Sequence, residues 1–321
     1  MEARVDSSCC LVAPSKEVRG HILARFKEIK DRIDHESTES STMSVHRTLL
    51  RPRERRSPGL NDGLVRPGNT FQPGLSLAAA ARAERTKLRG TINVIVVLVD
   101  FSDKKFAASQ TATHYEKLWF DVGSNSVRDY YRDVSNNSVD IVGQVVGPFR
   151  MPNTIKYYAN YENGLGEVAP NARTLAQDAA KLADAKVDFT KYDNDGDGFV
   201  DAFVIVHAGQ GAERTGQAND IWSHKWVLDG GPYQADGTQI YSYLTVPATC
   251  KLGVCAHELG HLAFGWPDLY DADYTSAGIG DWCLMAAGSY NGNEDNPAEP
   301  CAWCKVDQGW VDVVTPADTE R

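Results

Sequence analysis

The stretch that decides how this chain is read is VCAHELGHLAFGWPDLYD, residues 254–271. It sets His257 and His261 four apart, Glu258 beside the first, and Asp268 and Asp271 beyond Gly265. On a helix that spacing puts both imidazoles on one face, one turn apart. Two neutral ring nitrogens so placed can share a zinc ion, with the intervening glutamate positioned to take a proton from water. The residues KLGVCA (251–256) suit a helix packed on the core, and Gly265 with Trp266-Pro267 is expected to end it. A hydrolytic zinc site needs a third protein ligand and an open fourth position. Asp268, Asp271 and Asp273 are near enough to supply it, Asp268 being the first choice.

A second chemical motif lies upstream in YDNDGDGFVDAF (192–203). Asp193, Asp195, Asp197 and Asp201 occupy positions 1, 3, 5 and 9 of a loop whose sixth residue is Gly198. Alternate carboxylates in a tight turn converge on one point, which suits a structural calcium ion. Position 12 departs from the EF-hand rule, because it is Val204 inside an expected strand and not a bidentate glutamate. Downstream, GIGDWCLMAAGSYNG (278–292) carries Met285, a candidate for a turn beneath the zinc.

The rest of the chain supplies a scaffold. TINVIVVLVDF (91–101) is a continuous β-branched run, the pattern of a strand covered on both faces. Helices are expected near 126–135 and 169–185, strands over 138–149 and 201–209, and a half-exposed alternating strand over 239–246. Past Gly265 the Gly, Pro, Asp and Asn content predicts little regular structure beyond short helices. The fold class is therefore α/β, a mixed and mainly parallel sheet with helices.

Residues 1–90 carry 17 Lys and Arg against 11 Asp and Glu, whereas the remainder carries 16 against 32, so the two parts should attract each other. An acidic body argues against nucleic acid and suits bound cations. Residues 15–36 show helical apolar spacing, and the polar stretches after them, including RERR (53–56), read as a linker with a candidate processing site. The division is thus an N-terminal amphipathic helix and linker over 1–89, expected to be a pro-segment, and a metallopeptidase catalytic domain over 90–321. No run is long and apolar enough to span a bilayer, and MEARVDSSCC lacks signal-peptide order. Five of the seven cysteines, Cys250, Cys255, Cys283, Cys301 and Cys304, fall in the last third, which favours an oxidising compartment. Paired disulfides account for them, as does a second zinc site built from Cys250, Cys255, Cys301 and Cys304. Cys9, Cys10 and Asp62 are candidates for a group that enforces latency.

Taken together, AHELGHLAFGWPDLYD (256–271), GDWCLMAAGSYNG (280–292) and CAWCKVDQGWV (301–311) resemble the catalytic core of the immune inhibitor A-type family of secreted bacterial zinc metallopeptidases. VIVVLVDFSD (94–103), SVRDYYRDVS (126–135) and YDNDGDGFVDAFVIVHAGQGAE (192–213) are similar to its N-terminal subdomain. The likeness runs from about residue 90 to 312. It departs from the family's pattern in one respect: Gly265 and Asp268 stand four and seven past His261, one more than the metzincin form. The resemblance implies a metzincin-like fold with the active-site helix between two subdomains, the second irregular. It further implies one catalytic zinc on His257, His261 and Asp268, Glu258 as general base, Met285 below, structural calcium, and protein or peptide substrates. A secreted monomer is expected. Tyr290, His207 and His224 are candidates for holding the oxyanion. A calcium-stabilised binding module without turnover, or a zinc hydrolase of a non-peptide bond, is the alternative.

Overall fold

A computed structural model describes residues 10–36, 87–271 and 276–314. Cys9, Asp62, the linker with RERR, and Asp273 lie outside the described residues.

The scaffold is one six-stranded mixed sheet. Its longest run of apolar residues, β2 (Gly90–Asp100), lies next to one edge and is flanked in parallel by the edge strand β3 (Val139–Arg150) and by β4 (Phe203–His207), and β4 pairs in parallel with β8 (Ser242–Pro247). Beyond β8 the direction reverses: β5 (His224–Val227) runs antiparallel to it, and β1 (Cys10–Leu11) antiparallel to β5. The expectation of a mixed, mainly parallel sheet therefore holds.

Alternation along β2 divides the interior. Val94, Val96 and Leu98 join one apolar cluster, Ile95, Val97 and Val99 the other, and all six are fully buried. Burying each such side chain contributes about 1.5–3 kcal/mol, which explains why the run needs no polar face. On the first face lie α2 (Ala112–Phe120), α3 (Val127–Val134) and the active-site helix α7 (Leu252–Phe264). On the second lie α4 (Ile155–Ala159) and α5 (Ala172–Asp184), whose buried face is nearly all alanine. Helix starts follow local chemistry: Ser126 and Asn171 each form a capping box, with Asp129 and Thr174.

One expectation fails. The run 239–246 is broken at Tyr241 into β7 (Thr238–Ile240), which makes a hairpin with β6 (Tyr233–Ala235), and β8, which is buried throughout. β8 looks half-exposed because Ser242, Tyr243 and Thr245 are polar, yet both its neighbours are strands and both its faces are covered. Tyr243 answers its burial by sharing a hydrogen bond with His224 at 2.8 Å. After Gly265 the described residues hold only two short 3-10 stretches and the six-residue α8 (Ala302–Asp307), as the composition predicts.

The N-terminal helix α1 (Lys16–Glu36) and the residues before it pack on the acidic body. Lys16 pairs with Asp281 at 3.3 Å, and Arg19 donates to the Ser276 carbonyl. Among the described residues, no helix is long and apolar enough to cross a membrane.

Candidate active site

Helix α7 is buried at every position from Leu252 to Phe264. Its start is held by Glu294, which accepts the Lys251 backbone N–H at 3.0 Å and pairs with Arg214. Its end is the left-handed Gly265, at φ 68°, whose N–H caps the carbonyls of the last turn. Glycine takes that conformation without the penalty a Cβ carries.

His257 and His261 project from one face of α7, and their Nε2 atoms lie 3.0 Å apart. Asp268 Oδ1 is 3.1 Å from each Nε2, so three ligand atoms converge on one point. The opposite ring nitrogens are both committed: His257 Nδ1–H donates to the Leu284 carbonyl at 2.8 Å and His261 Nδ1–H to the Trp266 carbonyl at 2.6 Å. Those bonds leave both Nε2 lone pairs facing the centre, an arrangement that asks for a cation. Burial holds His257 below its ordinary pKa, favouring the neutral, ligating form. Burial also works to raise the Asp268 carboxyl, but the neighbouring imidazoles outweigh it and keep the acid ionised. Two imidazoles and one carboxylate form a donor set that fits zinc.

Asp268 therefore joins the histidines, whereas Asp271 accepts hydrogen bonds from Ser276 and stands outside the cluster. The extra residue before Gly265 does not displace the carboxylate. Glu258 is fully buried beside His257. Met285 lies beneath α7 where Gly260 passes it: a Cβ at Gly260 would come 2.8 Å from Met285 Sδ, so glycine permits this approach. The Met285 carbonyl also accepts Leu269 N–H at 2.7 Å, tying the loop below the site to the Asp268 segment.

Of the oxyanion candidates, His224 bonds internally to the Trp222 carbonyl and Tyr243, and His207 shares a bond with its neighbour's carbonyl. Burial pushes both down to about 4. Tyr290 behaves differently, donating its hydroxyl hydrogen to the Ala13 carbonyl at 2.6 Å. Ala13 belongs to a stretch laid along the site. Leu11 N–H donates to Asp268 Oδ2 at 3.4 Å, Tyr270 O–H to the Leu11 carbonyl, Trp222 Nε1–H to the Val12 carbonyl, and Ser15 N–H to the Glu213 carbonyl. The sequence carries no signal for these contacts, because backbone carbonyls and a two-residue strand have no residue signature. A cavity of ≈ 520 Å³ opens beside this stretch, lined in part by Ala13, Lys16, Tyr270, Trp282 and Tyr290.

In the Asp loop, Asp193, Asp195 and Asp197 each bring one carboxylate oxygen within 4.8 Å of the others. Asp201 is not in that group and accepts Asn194 N–H at 2.6 Å.

A helix-borne His-Glu-x-x-His with a carboxylate returning from the turn defines a metallopeptidase site. The family model described as immune inhibitor A peptidase M6, catalytic domain, matches residues 81–313, and the chain belongs to that family. It is 30% identical over 251 residues to immune inhibitor A of Bacillus thuringiensis subsp. alesti, covering 62% of this chain and 36% of that protein. It is likewise 30% identical over 271 residues to the pre-pro-metalloprotease PrtV of Vibrio cholerae serotype O1 (strain M66-2), covering 67% of this chain and 29% of the relative. The chain thus spans about a third of the length of the curated relatives it matches, 36% of one and 29% of the other.

Proposed function

We propose that this chain is a zinc-dependent endopeptidase, with a metzincin-like catalytic domain over 90–321 and a pro-segment over 1–89. The observation that supports the reading is the buried convergence of His257 Nε2, His261 Nε2 and Asp268 Oδ1, at 3.0 and 3.1 Å, with Glu258 on the same helix. These three residues would hold zinc, which when bound polarises a peptide carbonyl and makes the attacking water more acidic. Glu258 takes the proton of that water on a carboxylate oxygen and delivers it to the leaving nitrogen, so no amide anion has to depart. Tyr290 is the residue we assign to hold the oxygen on which negative charge develops, a reading supported by its hydrogen bond to the Ala13 carbonyl. Met285 supports the floor below Gly260.

We infer that the stretch from Cys10 to Ser15, whose edge strand β1 pairs antiparallel with β5, occupies the position of an extended substrate. By strand alternation Cys10 shares the face of Val12, which packs into the cluster containing α7. We read this as the latent form, in which Leu11 N–H contacts Asp268 and the neighbouring Cys10 thiol is the candidate ligand that enforces latency. Asp193, Asp195 and Asp197, with Asp201 behind them, are read as a structural calcium loop. Proteins or peptides as substrates, a secreted location and a monomeric state complete the proposal.

Cleavage of a quenched fluorescent casein tests it, using the chain before and after limited proteolysis within residues 37–86, in calcium and zinc, beside Glu258→Gln. The expected result is cleavage by the parent and a rate lower by on the order of 10²–10⁴-fold in the variant. Equal silence from both, with zinc bound, would sink the endopeptidase reading.

A further inference from the structure

Behind the active-site loop, Cys283, Cys301 and Cys304 meet: each offers a sulfur, and the three sulfurs lie within 4.8 Å of one another. We propose that this trio is a second, sulfur-ligated metal site, taking a thiophilic dication of the zinc class and clamping the Met285 loop to α8. The inference does not depend on the chain being a peptidase.

The geometry fits a metal edge. Cys301 Sγ and Cys304 Sγ are 3.7 Å apart. Zinc–thiolate bonds of about 2.3 Å in a tetrahedron separate the sulfurs by about 3.8 Å. A disulfide requires about 2.05 Å and would use two of the three sulfurs, leaving one buried thiol over. A metal uses all three. The pair with two residues between them, Cys301-x2-Cys304, has the spacing of a zinc knuckle, and the third ligand comes from a distant loop.

The surroundings suit thiolates. Cys301 N–H donates to Cys283 Sγ at 3.2 Å, a bond that strengthens as the sulfur gains charge. Cys283 and Cys304 are fully buried, and Cys301 keeps some exposed surface, so ion entry and the fourth ligand, water or an external thiol, fall on the Cys301 side. Binding releases three protons to solvent and transfers no electrons, leaving a complex of net charge −1.

The arrangement differs from a grouping of Cys250 and Cys255 with Cys301 and Cys304. Cys250 and Cys255 form their own pair, with sulfurs 3.2 Å apart. Cys283 takes their place, and its position carries the consequence. The next residue, Leu284, accepts His257 Nδ1–H through its carbonyl and donates its own N–H to the Glu299 carbonyl at 3.1 Å. A metal on the trio would fix the acceptor that orients His257.

Cobalt(II) titrated after chelation into the full chain carrying Cys10→Ser, the parent for this test, reads the trio separately, because without that thiol at the histidine site only the trio's thiolates give an intense sulfur-to-metal charge-transfer band in the near ultraviolet. The band is expected in the parent, unchanged in His261→Ala, and lost in Cys304→Ser. The partly exposed Cys301→Ser serves if Cys304→Ser does not fold. Zinc content is expected to fall from two per chain to one in either cysteine variant. Absence of the band in the parent, or a disulfide joining Cys283 to Cys301 or Cys304 in peptide maps of the unreduced protein, overturns the site. Casein cleavage plays no part in the readout, so its loss cannot be confused with failure here.

Discussion

The histidine cluster under α7 and the aspartate loop before β4 both gather lone pairs around a point, yet they are built in opposite ways. His257, His261 and Asp268 are buried, and both Nδ1 atoms are spent on backbone carbonyls. Both Nε2 atoms and Asp268 Oδ1 converge on one point. The aspartates lie on a surface loop that satisfies itself: Asp193 accepts N–H bonds from Gly196, Asp197 and Gly198, and Asp197 accepts from Phe199. The first arrangement is preorganised by the fold and suits an ion that does chemistry. The second is organised by its own backbone and suits an ion that only adds stability.

The largest test of that contrast is His261→Ala. It should empty the buried cluster of zinc and lower casein cleavage below the level of Glu258→Gln, itself down on the order of 10²–10⁴-fold. Metal analysis beside the rate checks it, and retained zinc with retained activity would break the contrast outright.

Acid should act on buried groups outside both regions. His207 and His224 have folded pKa values near 4 against 6.5 when free, so the unfolded chain binds more protons between those limits and stability falls as pH drops through them. Each buried imidazole contributes about 3 kcal/mol to that slope at most. Glu213 opposes it: burial lifts its carboxyl to about 7, so its contribution is full below 4.5 and lost as pH rises toward 7. Chemical denaturation from pH 7.5 to about 4 should show a net acid loss that steepens in Glu213→Gln. A slope unchanged by that variant would count against the burial of Glu213.

A smaller effect attaches to the strand in the cleft. Cutting within residues 37–86 and releasing the Cys10–Ser15 stretch should raise the initial rate by about tenfold or more, since a net 1.4 kcal/mol of lost contact is a factor of 10. No rise after complete release would remove the latency reading.

The smallest belongs to the aspartate loop. Asp193→Asn should lower the melting temperature in calcium by about 2–4 °C, as for a loss near 1 kcal/mol, and abolish the response to calcium while leaving the cleavage rate at 25 °C within a factor of about two. Scanning calorimetry with and without a calcium chelator decides, and an equal loss of rate would make the two clusters alike after all.

The HELGH helix, its stop at Gly265, the continuous run of β2 and the Asp-Gly loop were all legible, because each is a pattern within a dozen neighbouring residues and follows from local geometry. Less legible were pairings between distant segments. The polar residues of β8 suggest an exposed face until both neighbouring strands are in place. Asp268 and Asp271 are equivalent in composition, and only the path of the turn brings one to the histidines. Cys283 shows no kinship with Cys301 and Cys304 until the loop folds back.

By itself, then, the sequence determined the class of chemistry and the elements that carry it, through residue types at fixed spacing. The tertiary structure decided between Asp268, the first choice on spacing, and Asp271, and it alone decided which cysteines meet, that Tyr290 faces a peptide carbonyl, and that the N-terminal strand lies along β5. The physical reason is that spacing along a chain sets direction within one helix or strand. Convergence of separate segments is set by packing against a shared core, which no local pattern encodes.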